Sequence, residues 1–206
     1  LYNQTNFLES IAWLPSYISV RINGMKYDKD GNLWLTNALV NRGLRVLKSN
    51  NTWQSYDLSA VVQSPDYIHY GNIDIDKNST KWIATYGRGV IAFNEKYNNK
   101  FIVINQENGN LPSNDVRCVA VDNRNQLWIG TFTGLRIINS IDRFITETEL
   151  TSTNIVIQEG DLAQELFYQQ VIQDIKVDGS NNKWVAIADA GVFQVSANGQ
   201  TTLRRF

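Results

Sequence analysis

The chain has 206 residues, of which 43% are hydrophobic and 19% are charged, and its 19 basic and 20 acidic residues leave a formal charge of −1. That balance provides no basic field for nucleic acid, and no apolar run approaches the length of a membrane span, so we expect neither a nucleic-acid partner nor a membrane span in this segment. The single cysteine excludes an internal disulfide. One cysteine and one histidine are too few ligands for an ordinary zinc site, so we expect no metal and no cofactor.

A composite pattern recurs four times along the chain. It occupies Tyr27–Thr36, Ile75–Thr85, Val121–Thr131 and Val177–Ile187, and its tryptophans are 48, 46 and 56 residues apart. In every copy an aspartate stands six residues before the tryptophan, and the four pairs are Asp28 and Trp34, Asp76 and Trp82, Asp122 and Trp128, and Asp178 and Trp184. Fourfold recurrence at nearly constant spacing indicates a repeat architecture.

Within each copy, apolar and polar residues alternate, which is the period of a β-strand. Four short antiparallel strands in each repeat of this length are typical of a propeller blade. We therefore predict an all-β fold, a β-propeller with four-stranded antiparallel blades at about 21–58, 68–105, 114–150 and 170–206. Each aspartate is expected to bind turn amides after the first strand, and each tryptophan to pack between neighbouring blades.

The first copy contains the sequence Asp-Lys-Asp-Gly-Asn at 28–32, which resembles the beginning of a calcium loop. The bidentate glutamate of such a loop would fall on Leu39, and the other three copies lack the second aspartate. A turn is therefore favoured over a metal site. In the third copy, Cys118 lies in an apolar alternation and is expected to be a small buried residue.

Two features are predicted between the third tryptophan and the fourth. A fourth strand is expected from Arg143 onwards, with Glu147 and Glu149 on the same solvated face, where a glycosidase pair is disfavoured. An insertion then separates the third copy from the fourth, and Asp161–Gln170 predicts the one helix-like segment of the chain.

Four full copies follow a start of about 25 residues. A closed four-bladed ring is one interpretation, in which the N-terminal segment completes a blade. We favour the other, in which the chain is part of a larger propeller of about six to eight blades.

The candidate site lies on one face of the predicted propeller. The connection between the second and third strands of a blade shares that face with the connection between blades. These segments are Thr36–Arg42, Ser64–Gly71, Thr85–Gly89, Thr131–Gly134, Ile187–Gly191 and the long insertion between the third and fourth copies. Aromatic and basic residues there suit sugar rings, acidic glycans or a protein hot spot. The predicted ligand-binding residues are Tyr67, His69, Tyr70, Tyr86, Arg88 and Phe132.

The segment Leu111–Ile138 resembles the two-component regulator propeller repeat. That pattern runs L-P-S-N-x-V and then D-x-x-G-x-L-W-I-G-T-x-x-G-L, and Asn125 stands where glycine is usual. The other copies resemble it around their aspartate, tryptophan and glycine, although Ala186 and Ala188 stand where glycine and threonine are more common. The resemblance implies the propeller fold and says little about function.

The late segment Asn154–Thr202 is similar to PorZ-like components of the type IX secretion system. That resemblance implies a non-enzymatic propeller at the cell surface, on the outer membrane. It also implies two partners, the sortase that removes C-terminal signals from cargo and an anionic lipopolysaccharide presented to it.

Two other functions remain open at this point. The same repeats occur in periplasmic domains that sense oligosaccharides for hybrid two-component histidine kinases. A propeller lyase or glycosidase is a third possibility, but one histidine and no placed pair of converging acids count against it.

Overall fold

The computed structural model describes the chain except residues 1, 4, 12–18, 60, 160 and 161. The first blade consists of β1 (Ile22–Tyr27), β2 (Leu33–Asn37), β3 (Leu44–Leu47) and β4 (Trp53–Tyr56). The second consists of β5 (His69–Ile75), β6 (Lys81–Tyr86), β7 (Gly89–Asn94) and β8 (Lys100–Ile104). The third consists of β9 (Val116–Val121), β10 (Leu127–Thr131) and β11 (Gly134–Ile138). A hairpin of β12 (Val156–Glu159) and β13 (Leu162–Glu165) follows. The fourth consists of β14 (Ile172–Val177), β15 (Lys183–Ile187), β16 (Gly191–Val195) and β17 (Thr202–Arg205).

Within every blade each strand pairs antiparallel with the strand before it in the chain. The first strands of successive blades, β1, β5, β9 and β14, pack side by side and line one central cavity of about 370 Å³. The predicted all-β architecture of stacked antiparallel blades is therefore confirmed. In the part of the chain that the structure describes, the short helices are α1 (Gln106–Gly109) and three 3₁₀ helices at Pro65–Tyr67, Glu95–Tyr97 and Ile141–Ile145. Among the described residues no helix is long and apolar enough to cross a membrane.

The predicted fourth strand of the third blade is wrong. The 3₁₀ helix Ile141–Ile145 takes its place, because Ile141 and Phe144 bury their side chains three residues apart, which is the period of that helix. Glu147 follows the helix and binds Arg143, its Oε1 accepting from Nε at 2.6 Å, so Glu147 and Glu149 do not share a strand face. The outer edge of β11 is instead met by a single bridge between Ile137 and Thr153.

The predicted helix at Asp161–Gln170 is also wrong. Leu162 begins β13, which pairs with β12, and the chain then turns at residues 166–169. Leu162 is 74% exposed while Leu166 is buried, so these two leucines do not lie on one apolar face. Asp161, the first residue of the predicted segment, lies outside the described residues.

The repeated aspartate and tryptophan form the same contact in all four blades. The indole Nε1 donates to the aspartate Oδ2 at 2.9 Å in Trp34–Asp28, 3.2 Å in Trp82–Asp76, 3.4 Å in Trp128–Asp122 and 3.2 Å in Trp184–Asp178. The aspartate Oδ1 accepts from the backbone amides two and four residues later in each blade. The expected turn is therefore present, and in the first blade both oxygens of Asp28 are used by it.

Trp34, Trp82 and Trp128 also pack between blades, as expected. In the second and fourth blades, the residue immediately before the tryptophan contacts the tryptophan of the preceding blade. Lys81 Nζ lies 3.9 Å from the Trp34 ring centre, and Lys183 Nζ lies 4.4 Å from the Trp128 ring centre. Leu127, at the same position in the third blade, shares a buried cluster with Trp82.

The covering residue also affects the pKa of a buried aspartate. Burial is the largest influence on Asp122 and raises its pKa, but the hydrogen bond and charge of Lys183, whose Nζ lies 2.8 Å from Oδ2, act together with hydrogen bonds from the Gln126 amide and Asn181 to hold that pKa below its ordinary value. Leu127 brings no charge to Asp76, and burial raises the pKa of Asp76 although bonds from the Thr80 amide and Trp82 oppose it. Burial likewise raises the pKa of Cys118, which is 2% exposed and is the buried apolar residue predicted.

A β-bulge interrupts the first strand of each blade near its beginning, eleven residues before the tryptophan. The residue there is Asn23, Gly71, Arg117 or Gln173. Only the second blade has glycine, because a Cβ on Gly71 would lie 2.3 Å from the Arg117 carbonyl oxygen.

Gly71→Ala is expected to lower the free energy of unfolding by about 1–3 kcal/mol, since two packed inner strands must separate to admit the methyl group. Gly179→Ala is the matched control, because a Cβ there meets nothing within 4 Å. Urea unfolding of both variants measures the difference, and equal midpoints for the two would contradict this packing of β5 against β9.

Candidate ligand-binding face

The upper face is defined here as the one that carries the connections between second and third strands and between blades. Five of the six predicted residues reach solvent on it: Tyr67 is 63% exposed, Tyr86 40% and Phe132 47%, and His69 and Arg88 are also exposed. His69 at the start of β5 pairs in register with Tyr86 at the end of β6.

Tyr70 is the exception and belongs to the core. It is 0% exposed and packs between the first two blades. Its hydroxyl lies so close to Gly43 that a Cβ on that residue would be only 2.1 Å from the hydroxyl oxygen. Burial raises the pKa of its hydroxyl, which has no hydrogen-bond partner among the described residues. Tyr70 therefore cannot touch a ligand on the upper face.

Three residues from two blades form a cation–π cluster on the upper face, and we call Tyr86, Arg117 and Phe132 the upper cluster. The Arg117 guanidinium carbon lies 4.7 Å from the Tyr86 ring centre and 5.4 Å from the Phe132 ring centre. The two rings come from the ends of β6 and β10, and Arg117 occupies the bulge of β9. A bulge redirects a side chain, and here it directs Arg117 between the rings.

The backbone of Asn114 and Asp115 ties these segments together. The Asn114 carbonyl accepts from the amides of Gly87 and Gly89 at 3.0 and 2.8 Å, and the Asp115 carbonyl accepts from the Phe132 amide at 2.9 Å. Because one linker holds both aromatic turns, the upper cluster is ordered before any ligand binds.

Asp115 also partly compensates the charge of the cluster. Its Oδ2 accepts from Arg117 Nη2 at 2.7 Å, and the two side chains are 30% and 26% exposed. One guanidinium edge is thus occupied by the protein, while the flanking rings remain open to solvent. Such a platform can stack a sugar ring or an apolar side chain and donate one further hydrogen bond to an oxygen.

A second cavity, of about 440 Å³, adjoins the cluster through the turn that follows Tyr86 and through Asn114 of the linker. Its lining is mostly polar and consists of Val61, Val62, Gln63, Gly87, Arg88, Val103, Asn105, Glu107 and Asn114. Arg88 forms no ion pair with any residue that the structure describes, so its guanidinium is available to an anionic group.

Sequence reasoning missed Arg117 and Asp115. Arg117 stands among Val116, Cys118 and Val119, where the alternation marks it only as a polar residue of a strand. The signal that could have found it is its position eleven residues before Trp128, where the other copies have Asn23, Gly71 and Gln173. In the described part of the chain, no three His, Cys, Asp or Glu residues group closely enough to hold a metal ion.

Comparison with protein families supports the repeat. The family model described as "Two component regulator propeller" matches residues 110–133, which run from the Asn114 linker through β9 and β10 to Phe132. A curated relative, histidine kinase P4 of Formosa agariphila, is 28% identical over 88 residues that cover 37% of this chain and 6% of that protein.

Comparison with solved structures supports the fold. PorZ, described as an essential bacterial surface component of the type IX secretion system of Porphyromonas gingivalis, aligns with a TM-score of 0.78 and 22% identity over 90% of this chain. The extracellular domain of a putative hybrid two-component system of B. thetaiotaomicron aligns with a TM-score of 0.60 and 16% identity over 93% of it. The chain spans 27% and 22% of those two structures. The chain therefore has a β-propeller fold, and its residues 110–133 match the two-component regulator propeller model.

Proposed function

We propose that this chain is a non-enzymatic, extracytoplasmic binding propeller of a PorZ-like cell-surface component of the type IX secretion system. In this role it helps present an anionic lipopolysaccharide to the sortase that removes C-terminal signals. The observation that carries the proposal is the upper cluster with Arg88 beside it, because preordered aromatic rings next to a free guanidinium suit an acidic polysaccharide. The structural likeness to PorZ supports the same assignment.

The two arginines have different tasks in this proposal. Arg117 is held by Asp115 and positions the rings of Tyr86 and Phe132 for stacking against sugar. Arg88 lines the adjoining cavity without an ion pair in the described residues and binds the acidic substituent. A polysaccharide chain lying along the upper face would contact both.

Alanine variants of Tyr86 and Arg88 are each expected to weaken binding of purified anionic lipopolysaccharide about tenfold or more, as loss of a central aromatic or arginine contact does. Isothermal titration of the purified chain measures this, with lipopolysaccharide lacking the anionic polysaccharide as the second titrant. Tyr97→Ala is the matched control, since Tyr97 is also an exposed tyrosine, at 37%, but lies between β7 and β8 on the opposite face, where its neighbour Lys96 binds Asp30 of the first aspartate turn. Binding that is unchanged in the Tyr86 and Arg88 variants would overturn the proposed site.

A sensor of oligosaccharides is the second candidate, and the likeness to an extracellular domain of a hybrid two-component system favours it. The relative that is a histidine kinase points the same way. The titration separates the two functions: tight binding of neutral oligosaccharides, with none of anionic lipopolysaccharide, supports the sensor. The PorZ-like role predicts the reverse preference, with Arg88 responsible for it.

A further inference from the structure

A cavity of about 450 Å³ lies where the β12–β13 hairpin meets the fourth blade, and we call it the hairpin cavity. Its apolar floor consists of Ile157 of the hairpin, Phe167 of the turn that follows and Phe193 of β16. These three residues pack against the buried cluster that joins the third blade to the fourth. The hairpin cavity therefore lies inside a junction between two blades that the structure describes.

The hairpin cavity reaches the upper face beside the upper cluster. Ala190, which lines it, belongs to the β15–β16 turn of that face. The turn at residues 166–169 lies against the β10–β11 turn, because a Cβ on Gly134 would be 3.5 Å from the Phe167 carbonyl oxygen. Gly134 stands two residues after Phe132 of the upper cluster. The upper cluster therefore adjoins one cavity on its second-blade side and the hairpin cavity on its third-blade side.

The two cavities occupy equivalent places in the second and fourth blades, because the positions six and 21 residues after the repeated tryptophan line both of them. In the second blade these positions are Arg88 and Val103. In the fourth blade they are Ala190 and Arg205. The arginine lies on the turn in one cavity and on the outer strand β17 in the other, so each cavity contains one.

Arg205 is the uncompensated charge of the hairpin cavity. It pairs in register with Phe193, so both side chains lie on the side of the sheet that faces the third blade. Its guanidinium carbon lies 5.1 Å from the Phe193 ring centre, and it forms no ion pair within the described part of the chain. The acidic side chain in the lining, Glu165, is already paired with Arg136 and accepts from Asn154 Nδ2 at 3.1 Å.

Tyr168 provides an exposed ring at the rim of the same cavity. Its neighbours Phe167 and Gln169 both have left-handed backbones, with φ of 57° and 55°, which residues other than glycine rarely adopt. The Phe167 ring packs edge-on against Phe193 at 5.3 Å between centres and holds this turn on the fourth blade. Tyr168 is 59% exposed and lines the cavity, so an open ring lies near an uncompensated guanidinium.

We propose that the hairpin cavity is a second binding site for the acidic polysaccharide, so that one polysaccharide chain lies across all three junctions of the upper face. This inference rests on the proposed function. Arg205 binds an acidic substituent and Tyr168 stacks on a sugar ring, as Arg88 and the upper cluster do at the first site. Two linked sites bind a long chain more tightly than a fragment that reaches only one, because the second contact is then intramolecular.

The test is calorimetric titration of the purified chain with a size series of oligosaccharides from the anionic lipopolysaccharide. For the wild type, the affinity for the intact polysaccharide is expected to exceed that for a single repeat unit about 100-fold or more. Arg205→Gln and Tyr168→Ala are each expected to reduce this ratio about tenfold. Arg204→Gln is the matched control and should leave the ratio unchanged, because successive residues of β17 point to opposite sides of the sheet.

The outcomes separate this inference from the proposed function. If Arg88→Ala weakens binding but the ratio is unchanged in Arg205→Gln or in Tyr168→Ala, the second site is wrong and the proposed function stands. A wild-type chain that binds neither the repeat unit nor the intact polysaccharide contradicts both. A ratio that falls equally in Arg204→Gln shows attraction to the general charge of β17 and also rules out the second site. Near-ultraviolet circular dichroism checks that the variants retain their tertiary packing.

Discussion

Replacing Asp122 with asparagine is expected to lower the free energy of unfolding by about 3–5 kcal/mol, because it removes the charge that balances a buried ammonium group. The side chains of Asp122 and Lys183 are both 0% exposed, and Nζ lies 2.8 Å from Oδ2. The remaining bonds of Lys183 go to the carbonyls of Asn181 and Ala197, which carry no formal charge. Urea unfolding at neutral pH measures the loss.

Asp76→Asn is the matched control for this prediction. Asp76 occupies the same place in the second blade, but Leu127 covers its junction, and burial raises the pKa of Asp76. Because burial already disfavours the ionised form of Asp76, its replacement by asparagine is expected to lower the free energy of unfolding by about 1 kcal/mol or less. Equal losses of unfolding free energy in the two variants would show that the buried charge of Lys183 does not need Asp122 to balance it.

The two aspartates also respond to pH with opposite signs. The pKa of Asp122 is lower in the folded chain than in the unfolded chain, so its contribution is complete above the unfolded value of about 3.9 and disappears as pH falls through the folded value. The pKa of Asp76 is raised, so its ionisation works against folding as pH rises through that range. The difference in the free energy of unfolding between the wild type and Asp122→Asn should therefore become smaller as the pH falls through the folded pKa of Asp122.

Replacing Trp128 with alanine is expected to cost about 3–5 kcal/mol, since the indole is 0% exposed and lies between the third and fourth blades. Lys183 loses its ring contact, and the indole bond to Asp122 is lost as well. Trp184→Ala removes the same residue type at a partly exposed position and is expected to lower the free energy of unfolding clearly less.

Thermal or urea unfolding of the two tryptophan variants shows whether the tryptophan stabilises the contact between blades or only its own blade. Both tryptophans bind their own aspartate, so a contribution confined to that bond would give equal losses. A Trp184→Ala variant as unstable as Trp128→Ala would contradict the account of how the blades are joined.

The repeat was predictable from sequence because one physical requirement appears four times. Asp and Trp six residues apart close the same turn in each blade, and the strands of the first, second and fourth sheets fall inside the predicted ranges. The third blade was less predictable, because Ile141 and Phe144 in a short segment fit both a strand and a 3₁₀ turn until the buried partners are known.

The candidate site was predictable only in part. Tyr86 and Phe132 could be placed on one face from strand order alone, and the structure brings both to one guanidinium. Arg117 was missed because a bulge, which changes the direction of a single side chain, leaves no mark in an apolar alternation. The prediction for Tyr70 was wrong because the corresponding bulge in β5 directs its side chain into the contact between the first two blades.

The most direct test of the ligand-binding account is a ¹H–¹⁵N correlation spectrum of the labelled chain during titration with the polysaccharide portion of an anionic lipopolysaccharide. The account predicts shifts at the Arg117 and Arg88 side chains and at the amides of Tyr86 and Phe132, because these groups line the upper cluster and its adjoining cavity. It predicts no change in the four tryptophan indoles bound to aspartates on the opposite face. Shifts confined to those indoles, or no shifts at saturating polysaccharide, would contradict it.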